Sequence, residues 1–303
     1  MILIGENIHI ISRKVREAIE NKDENFIKIL IKFQDNMDCI DLNVGPSKGK
    51  LDNAFFWLCS LVENQNISFD STNVNAIADG LKLVRNTEDC FINSTSKDIE
   101  KLEPLTDLAL EYNCNLIALA MSKETGIPKT ADERLEIVFE IYEKCMEKGL
   151  ESHKLFFDPL ILPVCADQSQ GVEALNTIHM IKESFEPKVN TVIGLSNISN
   201  GVPNDMRPLV NRVFMALAYG AGLDAAIIDA KDLELVRIIK MLESGIPSSN
   251  VDRVYLSLSR MMSDFGDLED VEFDKNNIEE QNIIKTAAVL LNKKIYSDSF
   301  TQV

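Results

Sequence analysis

A closed (β/α)8 barrel is the fold this sequence predicts, on three observations. Eight short apolar, β-rich runs are spread along the chain, each followed by a stretch long enough for a helix. Those stretches carry apolar residues at helical spacing, i, i+3, i+4 and i+7. The length of 303 residues suits one such barrel as well as it suits two average domains. An open doubly wound sheet is the competitor. It would more often show a glycine-rich first turn, and no GxGxxG is present.

The strand candidates begin with MILIG at 1–5, CIDLNV at 39–44, NISFD at 66–70 and CFINS at 90–94. NLIALAM at 115–121, KLFFD at 154–158, TVIGLS at 191–196 and DAAIID at 224–229 complete them. KVREAIENKDENFIKILIKFQ and DERLEIVFEIYEKCMEKGL are typical of the helical stretches between them. The last unit is irregular. About fifty residues follow DAAIID before QNIIKTAAVLLNKKI, an amphipathic segment suited to close the barrel. Within them MMSDFGDLEDVEFDKNNIEE is rich in Asp and Glu. The chain therefore reads as a single barrel over 1–303 with an acidic insertion at 231–280, either a solvated surface or a partner-docking element.

With 45% hydrophobic and 26% charged residues the composition is ordinary globular. A formal net charge of −17 argues against nucleic acid, whose phosphates need clustered Lys and Arg. Six scattered cysteines without a CxxC pair read as buried free thiols, and so as a reducing, cytoplasmic setting. No signal peptide and no bilayer-length apolar run is visible. His9, His153 and His179 are not at ligand spacing, so no metal site is expected.

In such a barrel chemistry sits at the carboxyl ends of the strands. Those ends read Glu6-Asn7, Asn43, Asp70, Asn93, Ser122, Asp158, Asn197 and Asp229. Some of these residues suit helix N-caps equally well, and Ser71, Thr72, Ser94 and Thr95 suit capping better. Jointly the acids and amides favour a polar pocket. Carboxylates accept paired N–H groups, and an amide both donates and accepts, which suits a neutral, nitrogen-rich heterocycle. A phosphate would want glycines or bases at the mouth, which are missing. The residues alone specify no reaction.

IGENI, DLNVGP, FDSTN, INST, TGIPK, DPLILP, GLSNIS, RPLVNRVF, GLDAAIIDA and LLNKKIYSDSF occur in that order across nearly the whole chain. On these motifs the sequence resembles the pterin-binding methyltransferases that pass a methyl group from methyltetrahydrofolate to a corrinoid protein. Among them it looks most like those serving a corrinoid/iron–sulfur protein in the acetyl-CoA pathway. Dihydropteroate synthase shares the fold but not this set of motifs. The resemblance implies a dihydropteroate-synthase-like (β/α)8 barrel, usually dimeric, that takes tetrahydrofolate as substrate and obtains its corrinoid from a partner protein. It implies that Asp70, Asn93 and Asp158 bind the pterin ring and that Asn197 is the catalytic residue beside N5. Asn43 and Ser196 would line the same mouth. Arg207 would meet the aminobenzoyl-glutamate tail, with a solvated or helix-capping arginine as the alternative. Gly5-Glu6-Asn7-Ile8-His9 departs from the more usual Gly-Glu-Arg-Ile-Asn, and this departure and the acidic insertion bear on which partner is used.

Displacement at the methyl carbon by Co(I) leaves N5 as the leaving group. An amine leaves poorly unless it gains a proton. An amide at Asn197 can donate to the N5 lone pair and then accept from N5–H⁺. No corrinoid-binding DxHxxG pattern occurs, so the cobalt is expected in trans. One competing reading is the second methyltransferase of an O-demethylase system, working from corrinoid to tetrahydrofolate. Another is a folate-binding or corrinoid-docking module without catalysis.

Overall fold

The structure is a computed structural model and describes residues 1–302. Eight parallel strands close in chain order, with the first pairing both the second and the last. They are β1 (Ile2–His9), β2 (Cys39–Gly45), β3 (Asn66–Ser71), β4 (Phe91–Thr95), β5 (Asn115–Leu119), β6 (Leu155–Asp158), β7 (Asn190–Gly194) and β8 (Ala225–Ile228). After β1 come α1 (Arg13–Glu20) and α2 (Glu24–Phe33). The next four strands are followed in turn by α3 (Ala54–Cys59), α4 (Val74–Leu81), α5 (Ile99–Tyr112) and α6 (Ala131–Glu147). The last three precede α7 (Ser169–Ser184), α8 (Arg207–Gly220) and α9 (Leu233–Ser244). Two more helices, α10 (Asn250–Ser263) and α11 (Ile278–Leu290), complete the chain's regular structure. The barrel is the fold expected from the sequence.

Strand residues alternate between the helix-facing core and the barrel interior. Inside, Ile4, Cys39, Phe91, Ile117, Phe156, Val192 and Ala225 form a separate apolar cluster. Phe91 and Phe156 meet edge-on there, 5.0 Å between ring centroids. This plug fills the lower half of the barrel. Two residues further along the same strand faces come Glu6, Asp41, Asn93, Asp158 and Gly194. The polar site is thus the next interior layer above an apolar floor.

β1 carries a bulge: Gly5 pairs with Ile40 and Ile8 with Leu42, three steps against two. The extra residue turns Ile8 outward into the helix-facing core while Glu6 and His9 both reach the interior. Gly5 is required by close approach. A Cβ there would lie 2.3 Å from Oε1 of Gln34, a fully buried side chain. That oxygen accepts from the Asn7 amide at 3.3 Å.

Three sequence expectations need correcting. The barrel's eighth helix is α9, directly after β8, so the first part of 231–280 belongs to the barrel itself and the QNIIKTAAVLLNKKI segment does not close it. The remainder lies on the flank. α10 buries Val254, Tyr255, Leu258 and Met261, packing on α8, and α11 packs on α8 and α10. Asp252 of α10 is buried and paired with Arg237 of α9 at 2.7 Å. None of residues 245–280 lines the barrel mouth. Secondly, Ser71, Thr72, Ser94 and Thr95 are not N-caps, because the following helices start later, after Asn73 and Asp98. Asn73 accepts from the amides of Asn75 and Ala76. Thirdly, four of the six cysteines are buried, but Cys59 is only partly so and Cys165 is exposed. Burial pushes the Cys59 and Cys114 thiols up to about 12, so they stay protonated. No helix among the described residues is long and apolar enough to cross a membrane.

Candidate active site

The carboxyl ends of the strands open into a cleft of about 940 Å3. All seven residues singled out from the sequence line it: Asn43, Asp70, Asn93, Asp158, Ser196, Asn197 and Arg207. Asp229 lines it as well. Asn7 and Ser122 do not. Asn7 ties β1 to β8, donating to Asp229 Oδ1 at 2.6 Å and accepting from the Ala230 amide at 3.0 Å. Ser122 holds its own turn through Thr125 Oγ1 at 2.8 Å.

The floor is a linked set of carboxyl and amide groups. Asn43 Nδ2 donates to Asp70 Oδ2 at 2.5 Å. Asp41, one residue pair deeper, accepts at Oδ1 from Ser68 Oγ at 2.6 Å and from Asn93 Nδ2 at 3.1 Å. Burial, and then the Asp70 charge, push the Asp41 carboxyl well up, so it is held protonated beside Asp70. Burial raises Asp70 to about 6.

Across the floor, Asp158 is 8% exposed and accepts the Leu160 amide at 2.8 Å. Leu160 takes a φ of 66°, uncommon for a branched side chain, and this folds the DPLILP turn back onto the carboxylate. One Asp158 oxygen is thereby occupied, and among the described residues the other has no hydrogen-bond donor. Burial lifts this carboxyl to about 6, opposed by the Leu160 amide and by the buried guanidinium of Arg134. Arg134 donates to Gln170 Oε1 at 2.5 Å and to the Pro128 carbonyl at 3.1 Å.

The upper wall is the short 3-10 helix Leu195–Ser199 after β7. Asn197 is exposed at its edge, its Nδ2 only 3.0 Å from where a Cβ on Gly194 would stand. Gly194 therefore leaves the room in which the amide lies over the strand end. Ser196 donates to the Glu6 carboxylate, and Arg207 reaches Ser199 Oγ and Asn200 Oδ1, both at 3.3 Å. Lys231 and the Arg212–Asp232 pair, 2.6 Å apart, stand at the outer rim. An acidic, partly protonated floor thus lies beneath a rim that carries cations.

Sequence reasoning missed Asp41 and His9 as site residues, and read Glu6 only as one of the polar strand ends. Asp41 was detectable, since it shares a strand face with Asn43 two residues on. For His9 no signal existed, because the bulge reverses the facing that simple alternation assigns.

Comparison with known proteins gives the family. Residues 38–229, from just before β2 to just after β8, match the family described as pterin binding enzymes. A methylcorrinoid:tetrahydrofolate methyltransferase from Eubacterium limosum is 24% identical over 261 residues, covering 84% of this chain and 94% of the relative. Methionine synthase from Mycobacterium leprae is 26% identical over 250 residues, 77% of this chain but only 20% of that much longer protein. Among solved structures, dihydropteroate synthase from Yersinia pestis superposes with a TM-score of 0.53 at 14% identity. That comparison covers 80% of this chain and 93% of the enzyme, and it speaks for the fold alone.

Proposed function

Because the chain belongs to the pterin-binding enzyme family, we propose that it moves a methyl group between N5 of tetrahydrofolate and the cobalt of a corrinoid carried by a partner protein. The observation that carries the reading is the pairing of one exposed amide, Asn197, with a floor of Asp70, Asn93 and Asp158 in a single cleft. A pterin has a neutral amino-pyrimidinone edge rich in N–H donors, and carboxylates are the acceptors such an edge needs. The rest of folate is an anionic glutamate tail, for which Arg207 and Lys231 at the rim offer favourable charge.

In this reading Asp70 and Asp158 bind the ring, and Asn93, fixed by Asp41, orients it. Asn197 lies beside N5. Its NH2 donates to the lone pair of the unprotonated nitrogen, and its carbonyl accepts from N5–H⁺ once the proton has arrived. The two electrons of the methyl–nitrogen bond stay on N5 as the methyl carbon passes to cobalt. By microscopic reversibility the same contacts serve transfer in either direction. Sequence resemblance pointed to the folate-to-corrinoid direction of the acetyl-CoA pathway. The name of the Eubacterium limosum relative, of which this chain covers nearly the whole length, favours the opposite direction. The partner's corrinoid would approach over the open end of the cleft, beside Asn197.

The test is anaerobic mixing of the protein with methyltetrahydrofolate and chemically reduced cobalamin, following loss of the Co(I) absorption. A folded, folate-binding protein that leaves the Co(I) signal unchanged would sink the methyl-transfer reading. Repeating the run with methylcobalamin and tetrahydrofolate compares the directions. Asp158→Ala is expected to weaken folate binding roughly 10- to 100-fold, since a hydrogen bond to a charged acceptor contributes about 1.5–3 kcal/mol. Calorimetric titration checks this; an unchanged dissociation constant removes Asp158 from the pocket.

A further inference from the structure

An amide can hold N5 in both protonation states but has no proton to give, so the site needs an acid. Asp70 and Asp158 are committed to accepting the pterin edge. Of the other carboxyls in the cleft, Asp41 lies below the floor, held by Ser68 and Asn93. Asp229 is held by Asn7 and the Lys231 amide, and Asp232 is paired with Arg212, which leaves Glu6. Glu6 stands in the β1 bulge on the interior face and lines the same cleft. Ser196, the chain neighbour of Asn197, donates its hydroxyl hydrogen bond to Glu6 Oε1. Among the described residues, Glu6 is the carboxyl that hydrogen bonding ties to the 3-10 helix bearing Asn197.

We infer that Glu6 is the proton donor to N5 in methyl transfer from folate, and that its carboxylate takes the same proton back in the reverse direction. The inference rests on the methyl-transfer reading above. In the forward step the Glu6 O–H bond breaks as the N5–H bond forms. The lone pair of Co(I) makes the new bond to the methyl carbon, and the carbon–nitrogen electron pair remains on N5. The products are methylated cobalt, tetrahydrofolate and the Glu6 carboxylate, which regains a proton from water.

The surroundings favour this role. Burial raises the Glu6 carboxyl most; the Ser196 hydroxyl opposes it, the Asp229 charge at the end of β8 adds to it, and Arg207 at the start of α8 opposes it, with the Asp41 carboxyl of β2 also facing Glu6. Together these influences push the carboxyl up to about 7. A donor near the working pH is the most effective kind, because it is substantially protonated and still gives its proton readily. His9, on the same strand, is held below the usual imidazole range by burial and so stays neutral there.

The test follows single-turnover loss of Co(I) from pH 5.5 to 8.5, with methyltetrahydrofolate and free cobalamin. Wild type is expected to slow as pH rises through about 7. Glu6→Gln keeps an acceptor for Ser196 but has no proton to give. It should be roughly 100-fold slower at pH 6 and lack the limb near pH 7, with folate affinity within twofold of wild type. Ser196→Ala removes a contact that favours the carboxylate, so its limb should move to higher pH. A Glu6→Gln variant with the wild-type rate, or with the limb intact, overturns the assignment. So does a loss of folate affinity as large as the loss of rate, or a Ser196→Ala limb that has not moved. Wild type that transfers no methyl group at any pH instead refutes the methyl-transfer reading itself.

Discussion

Asn197→Ala lowers the rate of methyl transfer roughly 10²–10³-fold and leaves folate affinity within a few-fold of wild type. The expectation follows from where the amide stands. It is exposed at the open end of the cleft, above the strand end, and contributes nothing to the hydrogen-bonded floor. Its fold-holding contacts are slight: the side chain accepts from Asn200 Nδ2 at 3.3 Å and leaves the barrel core untouched. Removing it therefore costs little stability. On the proposed function the substitution also removes the amide dipole that would follow the charge change at N5. A group that acts only as charge develops shows itself in kcat rather than in binding. Single-turnover Co(I) loss at saturating folate, beside a folate titration, separates the two. An Asn197→Ala protein as fast as wild type would mean that N5 is held by something else.

Much of this site was legible in the sequence, for one reason: interior residues at the ends of parallel strands have no core to join. Asp70, Asn93 and Asp158 each close an apolar run, so their polarity stands out, and the structure brings them to one cleft. The same rule misled at the other places. Asp41 lies within CIDLNV and looks like a polar exception inside a buried strand. It is in fact the interior residue just below Asn43, fixed by Ser68 and Asn93. Glu6 follows Ile4 by simple alternation and was legible as a polar strand end, whereas His9 faces inward only because of the β1 bulge, which local periodicity does not show. The helices after β8 show a further limit. Acidic residues between α10 and α11 marked an excursion correctly, but only the apolar stripe of α10 decides where it docks. That stripe seats it on α8, at the flank, away from the mouth.

Folding stability of the ligand-free protein should fall as pH rises from 5.5 to 8. Glu6, Asp70 and Asp158 all have carboxyls raised in the folded state, to about 7, 6 and 6, and Asp41 is raised further by burial. A carboxyl raised on folding binds more protons folded than unfolded. Its contribution is fully present below the unfolded pKa near 4 and is lost as pH climbs through the folded pKa. A shift of two units corresponds to about 3 kcal/mol per group. Above pH 5.5 roughly a third or less of it remains to be lost for a folded pKa near 6 and more than half for one near 7, so Glu6 dominates a fall of about 2–4 kcal/mol. His9 and His179, held down by burial, act in the opposite sense below about pH 6.5. Four raised carboxyls outweigh two histidines. Urea unfolding at pH 5.5, 6.5, 7.25 and 8 reads the slope, and Asp158→Asn should flatten it by removing one titrating group. Stability that is level or rising over that range would contradict the raised carboxyls. The same groups make the pocket selective in a testable way. A ligand that donates N–H groups to Asp70 and Asp158 favours their ionised forms, which the empty fold disfavours. The stabilisation produced by added folate should therefore be larger at pH 8 than at pH 5.5, the reverse of the trend in the free protein.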